Sequence, residues 1–430
     1  MKKLLSNFKG NFFKLLFATV VGVVFGLVYR VSQAWLFGSS DEFAFYLIMS
    51  ISLSFFVQIV GQTALEGNLV PDLTKAITNN KHVSFKLLQK DTIKFAVIFG
   101  LINFLIVIGI VIISGYTLNL YYLIIALLLG LALTIYIFNS VGLMITQARG
   151  DYRLYSRTMI ANAIFRGGSM YPLGLSMGIV GVAINKVLSF LVLFFGGWNG
   201  IRKEKNLNAD KSDIYHPRIT LRSFNLISLF LANYYSFFVM IASILFGLKG
   251  DSNITNFSYS VAILGLIINT IGKATNTILI RETSINFNLK RVRNFLFLVL
   301  GISLGFITIM IFFGQEIVAI IYQRGAFTES DTLITYNLLI KLFLPFIFLT
   351  AFGVILQTVL SAEKNILSLF RKICGYTLFS IIAVLIFLLL SNVISTNLAV
   401  LIFYYAGSTT LLIIVSWFSY KRLKNAESNT

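Results

Sequence analysis

The chain has 430 residues, of which 57% are hydrophobic and 12% are charged, and its mean hydropathy is +0.86. Soluble domains are about one-quarter charged, so this composition excludes a soluble protein and indicates a polytopic membrane protein. The net charge of +19 would favour a nucleic-acid partner in a soluble chain. Here the cations lie in short loops between apolar segments, as the positive-inside bias requires, so we expect no nucleic-acid partner.

Twelve apolar segments predict twelve membrane-spanning helices, each long enough to cross ~30 Å of hydrocarbon. In chain order they begin near residues 12, 43, 92, 120, 159, 180, 223, 257, 294, 334, 374 and 396. The first segment stays apolar from Phe12 to Tyr29 and contains no small-residue cleavage site. We therefore expect it to be a retained helix and not a signal peptide.

The distribution of the 35 Lys and Arg residues predicts the orientation of these spans. Outside the spans, all but two lie in the N-terminus, the even-numbered loops or the C-terminal tail; the exceptions are Lys249 and Arg324. Both termini are therefore expected in the cytoplasm. The pattern predicts a multi-pass protein of the bacterial cytoplasmic membrane.

The longest polar segment divides the spans six and six, which predicts two lobes. Residues 1–199 form the first six-helix lobe, 200–222 a cytoplasmic linker, 223–420 the second six-helix lobe, and 421–430 a cytoplasmic tail. Because both lobes begin on the cytoplasmic side, they are expected to be parallel repeats around a central cavity. We therefore predict an all-α fold of about twelve transmembrane helices, with no extracytoplasmic catalytic domain because the outside loops are short.

Five cations fall inside predicted spans, where a charge near the bilayer centre costs about 3 kcal/mol or more unless it faces water, a partner or a cavity. They are Arg30, Arg166, Lys186, Lys273 and Lys341. Lys273 follows Asn269 by four residues and precedes Asn276 by three, so helical spacing places all three on one face. We expect Lys273 to line the cavity, whereas Lys186, predicted near the end of its span, is expected to snorkel to the interface.

For Arg30, Arg166 and Lys341 the sequence leaves two interpretations open. Arg30 precedes Gln33 by three residues, which gives the first span a polar face, and Arg166 precedes two glycines where the helix could bend. Lys341 lies four residues before Pro345, near a predicted kink. Each cation either lines the cavity or is an ordinary snorkelling or helix-packing residue.

Acidic, histidine and cysteine side chains provide no comparable group inside the spans. All 16 Asp and Glu lie in loops or at span ends, His82 and His216 lie in basic loops, and the single cysteine is Cys374. No metal site, no cofactor and no carboxylate proton relay is therefore predicted. Arg and Lys without acids suit a phosphate or pyrophosphate cargo, which they bind by charge-assisted hydrogen bonds.

Three segments resemble those of the MurJ/MviN lipid II flippases. They read FGSSDEF from Phe37, with Asp41; EGNLVP from Glu66 to Pro71; and IYQRGAFTESDT from Ile321, with Arg324, Gly325, Phe327, Thr328 and Asp331. In the third, Thr328 and Asp331 also form a capping-box-like pair, the signature of a helix start. That pair can cap the tenth span and mark the family at once.

The resemblance implies the fold of the multidrug/oligosaccharidyl-lipid/polysaccharide (MOP) exporter superfamily, with two six-helix lobes around a V-shaped cavity. It implies a flippase that carries an undecaprenyl-pyrophosphate-linked saccharide by alternating access, in contact with membrane lipids, as a monomer and with or without a coupling ion. The chain departs from the family in having twelve spans, not fourteen, in Val57 and Gln58 instead of arginines, and in Ser258 and Tyr259 instead of an acidic-basic pair. These departures favour Wzx-type polysaccharide flippases as an alternative to lipid II flippases.

The predicted function is therefore translocation without covalent chemistry. Pyrophosphate would be bound by the cavity cations Arg30, Arg166, Lys273 and Lys341, with Gln33, Asn269 and Asn276 as polar lining. A multidrug or cation antiporter of the same superfamily is the alternative, disfavoured by the missing intramembrane acids. A membrane polysaccharide polymerase or ligase is a third class, disfavoured by the short outside loops.

Overall fold

The computed structural model describes residues 2–57, 60, 65–79, 82–83, 85–113, 119–198, 214–215, 254–264 and 289–342. Helices dominate these residues, and two short strands accompany them. In chain order the elements are α1 (Lys2–Phe37), α2 (Asp41–Phe56), α3 (Glu66–Thr78), β1 (His82–Val83), α4 (Phe85–Ile113), α5 (Leu120–Arg149), α6 (Tyr152–Gly196), β2 (Ile214–Tyr215), α7 (Ile254–Leu264), α8 (Leu289–Tyr322) and α9 (residues 329–342).

Local chemistry marks the helix ends in the first half. The Asn119 side chain accepts a hydrogen bond from the backbone N–H of Tyr122 at 3.1 Å and so caps the start of α5. Gly150, with a φ of 75°, ends α5 in the left-handed conformation that glycine tolerates best. Asp151 then caps α6 by accepting from the N–H of Leu154 at 3.1 Å. The chain therefore reverses direction within two residues.

The long helix α6 consists of two helices that meet at Gly178. This residue has φ 59° and ψ −138°, which only glycine adopts readily, and the chain turns back on itself there. A Cβ at Gly181 would clash with the carbonyl oxygen of Leu173, so the two arms touch at the turn. This α6 hairpin agrees with the predicted fifth and sixth spans, which begin near 159 and 180.

Four stretches within the described residues are long and apolar enough to cross a membrane: Phe17–Phe37, Leu87–Ile112, Leu120–Arg149 and Tyr152–Gly196. Helices α2, α7, α8 and α9 cover the predicted starts near 43, 257, 294 and 334. The predicted starts near 223, 374 and 396, and most of the linker, lie outside the described residues. The all-α class is confirmed, and the chain is a multi-pass membrane protein.

A short parallel pairing joins the linker to the first half. His82 pairs with Ile214 and Val83 with Tyr215, so a piece of the predicted linker lies beside the loop between α3 and α4. The hydropathy pattern gave no sign of these two strands. Two residues are too few to produce an alternating pattern, and the partners are distant in sequence.

The hydrophobic core of the first half lies between α2, α3, α4, α5 and α6, with α1 packed along α6. Glycines permit the closest approaches between helices: a Cβ at Gly130 on α5 would lie 2.9 Å from the carbonyl oxygen of Gly100 on α4. On the outer face of α4 large apolar side chains such as Leu101, Leu105 and Ile112 are exposed. That pattern is the one expected where a helix faces lipid.

Candidate anion-binding site

Three cations from α1 and α6 gather around two buried tyrosines. The guanidinium carbon of Arg166 lies 4.4 Å from the centre of the Tyr29 ring. The ammonium nitrogen of Lys186 lies 5.2 Å from the centre of the Tyr46 ring on α2. Both are cation–π contacts, which hold a positive charge without supplying a negative one. Together with Arg30, which follows Tyr29, these residues form what we call the cation cluster: Arg30, Arg166 and Lys186.

The α6 hairpin brings Arg166 and Lys186 together. The Asn185 side-chain amide donates to the backbone carbonyl of Arg166 at 3.1 Å and to the Ser169 hydroxyl at 2.8 Å, which ties the two arms at this level. Beside Arg166, a Cβ at Gly167 would lie 2.6 Å from the carbonyl oxygen of Phe25. The missing side chain therefore lets α1 approach α6 at the cluster.

Arg30 connects the cluster to the second half of the chain. Its Nη1 donates to Gln33 Oε1 at 3.2 Å, so the two share the polar face of α1 that the sequence predicts. The same nitrogen donates to Ser258 Oγ at 3.4 Å on α7. Gln33 is buried, and Arg30 itself is half-buried. The cluster therefore lies where the first and second halves meet.

Several polar atoms around the cluster have no hydrogen-bond partner among the described residues. They are Arg166 Nε, the Tyr29 and Tyr46 hydroxyls and Asn185 Oδ1, all buried. Buried polar atoms are normally paired, so unpaired groups beside cations need an explanation, and a ligand that accepts hydrogen bonds would supply one. Nε and the two hydroxyls are donors, whereas Asn185 Oδ1 is an acceptor.

The charge of the cluster is not balanced by acids in the described part of the chain. The positive charge of Arg30 repels that of Arg166, and both arginines repel Lys186. No described carboxylate offsets this repulsion at Arg166 or Lys186. Three like charges in a partly desolvated site repel one another. An anion between them would relieve that repulsion.

The predicted cavity cations divide into three groups. Arg30 and Arg166 come together, as described above. Lys341 is exposed on α9, on the same face as Asn337, and makes no described contact with the cluster. Lys273, with Asn269 and Asn276, lies outside the described residues. The binding roles of all four cations stay predictions.

Lys186 corrects the expectation that it snorkels. Its ammonium group lies over the Tyr46 ring and is repelled by the charges of Arg30 and Arg166. The side chain therefore points inward and not to the interface. The missed signal was the turn at Gly178. Counted from there, Lys186 is eight residues along its arm, or about 12 Å into the bundle at ~1.5 Å per residue.

Two of the resembling segments, far apart in sequence, meet in space. The backbone N–H of Ala326 donates to the carbonyl of Trp35 at 3.3 Å. Gly38 and Gly325 have φ of 54° and 61°; a Cβ on Gly38 would meet the Ala326 carbonyl, and a Cβ on Gly325 would lie 2.6 Å from the Trp35 carbonyl. Both positions therefore require glycine for conformation and for space. The corner between α1 and α2 thus rests on the corner between α8 and α9.

The remaining residues of the α8–α9 corner have structural partners. Thr328 and Asp331 form the predicted capping box at the start of α9, with Thr328 Oγ1 and N–H donating to Asp331 Oδ2 at 2.7 and 3.0 Å. Asn256 on α7 donates to the other carboxylate oxygen at 3.4 Å. Buried Phe327 contacts the Tyr259 ring, and exposed Arg324 donates to the carbonyl of Ile320 in the last turn of α8. These contacts explain the segment as a helix start.

The other resembling segments lie on α2 and α3. Asp41 is exposed in the first turn of α2, where a negative charge favours the helix N-terminus. Glu66 begins α3, and Pro71 is buried inside it. No contact of these residues within the described part of the chain reaches the cation cluster, so the segments support the scaffold around it.

No protein-family model matches the sequence, and no curated protein matches it either. Solved structures match over nearly the whole chain. The lipid II flippase MurJ, in an inward closed conformation, has a TM-score of 0.63 at 19% identity over 95% of this chain and 87% of that chain. A MOP-superfamily transporter from Pyrococcus furiosus has a TM-score of 0.62 at 15% identity over 98% and 96%.

A mutant of the Vibrio cholerae MATE transporter VcmN has a TM-score of 0.66 at 13% identity over 99% of both chains. The chain has the fold of the MOP-superfamily transporters. At these identities the likeness establishes the fold and leaves the cargo to be argued from the site.

Proposed function

We propose that the protein is a flippase that moves a lipid-pyrophosphate-linked saccharide across the bacterial cytoplasmic membrane. The observation that carries this proposal is the cation cluster, in which three positive groups with free donors meet without a described acid. Buried cations are costly in a membrane and are retained where they bind something. A pyrophosphate has the charge and the acceptor oxygens to match them.

Each residue of the cluster would have a defined role. Arg166 offers its free Nε, and Lys186 adds a point charge from the facing arm of the α6 hairpin. Arg30 contributes from α1, at the junction of the halves. Lys273 and Lys341 would complete the set from the second half, as the sequence predicts. The prenyl chain would remain in lipid while the lobes rock, with no covalent step.

The saccharide is either lipid II or a surface-polysaccharide repeat unit. Lipid II is supported by the likeness to MurJ, which is a lipid II flippase. The repeat unit is supported by Ser258 and Tyr259, which replace the acidic-basic pair implied by the resemblance. Complementation of cells depleted of their own lipid II flippase separates the two.

A multidrug antiporter is the second candidate, because the MATE structures match as well as MurJ does. A carrier of cationic drugs needs negative groups in its cavity. The described part of this site has positive groups, so the site favours an anionic cargo. Drug efflux by the expressed protein would reverse this choice.

Substitution of Arg166 tests the function directly. We expect Arg166→Gln to abolish flipping of a lipid-pyrophosphate-linked sugar in reconstituted vesicles, because it removes the charge and the free Nε donor. The control is Arg153→Gln, which removes an exposed cation near the start of α6 and should flip like the parent. Equal flipping by both variants, with equal insertion, would show that the cluster does not bind the cargo.

A further inference from the structure

Two buried tyrosines of the second half lie side by side near Arg30. The ring centres of Tyr259 on α7 and Tyr322 at the end of α8 are 4.7 Å apart, and both residues are 0% exposed. Neither hydroxyl has a hydrogen-bond partner in the described part of the chain. The positive charge of Arg30 acts on both hydroxyls. We call Tyr259 and Tyr322 the tyrosine pair.

Packing accounts for the rings of the tyrosine pair but not for the hydroxyls. A buried hydroxyl without a partner costs about 1–3 kcal/mol, and phenylalanine would keep the ring without that cost. The neighbouring Phe327 does so: its ring centre lies 5.4 Å from that of Tyr259 and 5.7 Å from that of Tyr322. The two hydroxyls therefore need a partner that packing between helices does not supply.

The tyrosine pair lies where the second half of the chain meets α1. Ser258, which precedes Tyr259, accepts a hydrogen bond from Arg30 at 3.4 Å. Tyr322 lies three residues before Gly325, which packs against the end of α1. A ligand held by Arg30 at this junction would therefore lie beside the tyrosine pair.

The charges around Tyr259 favour a neutral ligand group over a second phosphate. Arg30 acts on the Tyr259 hydroxyl with a positive charge, and Asp331 acts on it with a negative one. Hydrogen bonds from Thr328 and Asn256 hold the Asp331 carboxylate in place. A phosphate beside Tyr259 would be repelled by this carboxylate. A sugar hydroxyl would not be, and it can both donate to a tyrosine hydroxyl and accept from it.

We propose that the tyrosine pair binds the sugar next to the pyrophosphate of the cargo, through hydrogen bonds between the two tyrosine hydroxyls and the hydroxyls of that sugar. This inference rests on the proposed function, in which the cation cluster holds the pyrophosphate. The cations recognise the charge of the cargo, and the tyrosine pair recognises its carbohydrate.

The test is the binding of three lipid probes to the purified protein in detergent. They are undecaprenyl pyrophosphate itself and its conjugates with a single glucose or a single N-acetylglucosamine. We expect the parent protein to bind at least one conjugate about tenfold more tightly than the sugar-free lipid. Tyr259→Phe and Tyr322→Phe should each reduce this preference about threefold and leave the affinity for the sugar-free lipid unchanged, because each removes a hydroxyl that bonds only the sugar.

The control variant is Tyr336→Phe on α9. It removes a hydroxyl that already donates to the Ile311 carbonyl at 3.4 Å, and it should bind all three probes like the parent. Thermal unfolding of the empty protein provides a second measurement. Loss of an unpaired buried hydroxyl should leave the melting temperatures of Tyr259→Phe and Tyr322→Phe equal or higher. Lower melting temperatures with an unchanged sugar preference would show that the hydroxyls are structural and would overturn the proposal.

The probes also separate the sugar site from the proposed function. Equal affinity of the parent for all three probes would overturn the sugar site and leave the proposed function standing. If Tyr259→Phe and Tyr322→Phe weakened the sugar-free lipid as much as the conjugates, the hydroxyls would bind pyrophosphate, and the sugar site would be wrong. A parent protein that binds none of the probes would overturn both proposals.

Discussion

At the scale of single residues, the contacts of Arg166 differ from those of a residue that only packs between helices. Its guanidinium lies over an aromatic ring, its backbone carbonyl is held by Asn185, and its Nε is buried without a described partner. An unpaired buried donor costs about 1–3 kcal/mol, and more when it is charged. Such an arrangement is unfavourable for folding alone, which supports the proposed binding role of Arg166.

Lys186 gives a residue-scale prediction in which stability and function move in opposite directions. Lys186→Gln removes a charge that is repelled by Arg30 and Arg166, so we expect the thermal stability of the empty protein to stay equal or rise. Flipping should fall at least about tenfold, the effect of losing one charge-assisted contact of about 1.5–3 kcal/mol. Thermal unfolding in detergent and a vesicle flipping assay measure the two effects.

The matched comparison for this prediction is Lys186→Arg, which keeps the charge and should retain most of the flipping. If the Gln variant were less stable but still flipped normally, Lys186 would be a packing residue. The snorkelling interpretation of the sequence would then regain support.

At the scale of elements, the α6 hairpin decides the geometry of the site. Two of the three cluster cations lie on its two arms, and the Asn185 side chain bridges the arms beside Arg166. The turn at Gly178 sets the register between the arms. A slip at this turn would separate Arg166 from Lys186 even if both helices stayed intact.

Gly178→Ala is the element-scale prediction. A Cβ at Gly178 would meet nothing within 4 Å, so the variant tests the backbone conformation alone. Because φ 59° with ψ −138° is nearly restricted to glycine, we expect a loss of about 1–3 kcal/mol and a lower melting temperature. Gly168→Ala, equally open but inside a helix, should be neutral or slightly stabilising. Similar melting temperatures for both variants would show that alanine adopts the backbone conformation of Gly178 without strain.

At the scale of the whole molecule, the described contacts between the halves are concentrated at one end of α1. Arg30 reaches Ser258, and about two turns further along the chain Trp35 and Gly38 meet Ala326. The buried apolar cluster of the first half also continues into α7, α8 and α9. Movement of one half against the other would therefore have to break these contacts.

The whole-molecule prediction is that transport requires the contact between Trp35 and Ala326 to open. Trp35→Cys with Ala326→Cys, in the Cys374→Ser background, places two thiols on residues joined by a backbone hydrogen bond, within reach of a disulfide. Oxidation should stop flipping in vesicles, and a reductant should restore it. The single-cysteine parents, treated identically, should flip before and after oxidation. Undiminished flipping by the crosslinked protein would show that these corners do not part.

The sequence alone determined the membrane class, the spans of the first half and the capping box of Thr328 and Asp331, because hydrophobic length and caps are local properties. It also singled out Arg30 and Arg166, since a cation inside an apolar span is visible without a fold. Only the tertiary structure decided that Lys186 faces inward and that Gly38 meets Ala326. Those facts depend on the turn at Gly178 and on contacts between distant segments, which no local pattern records.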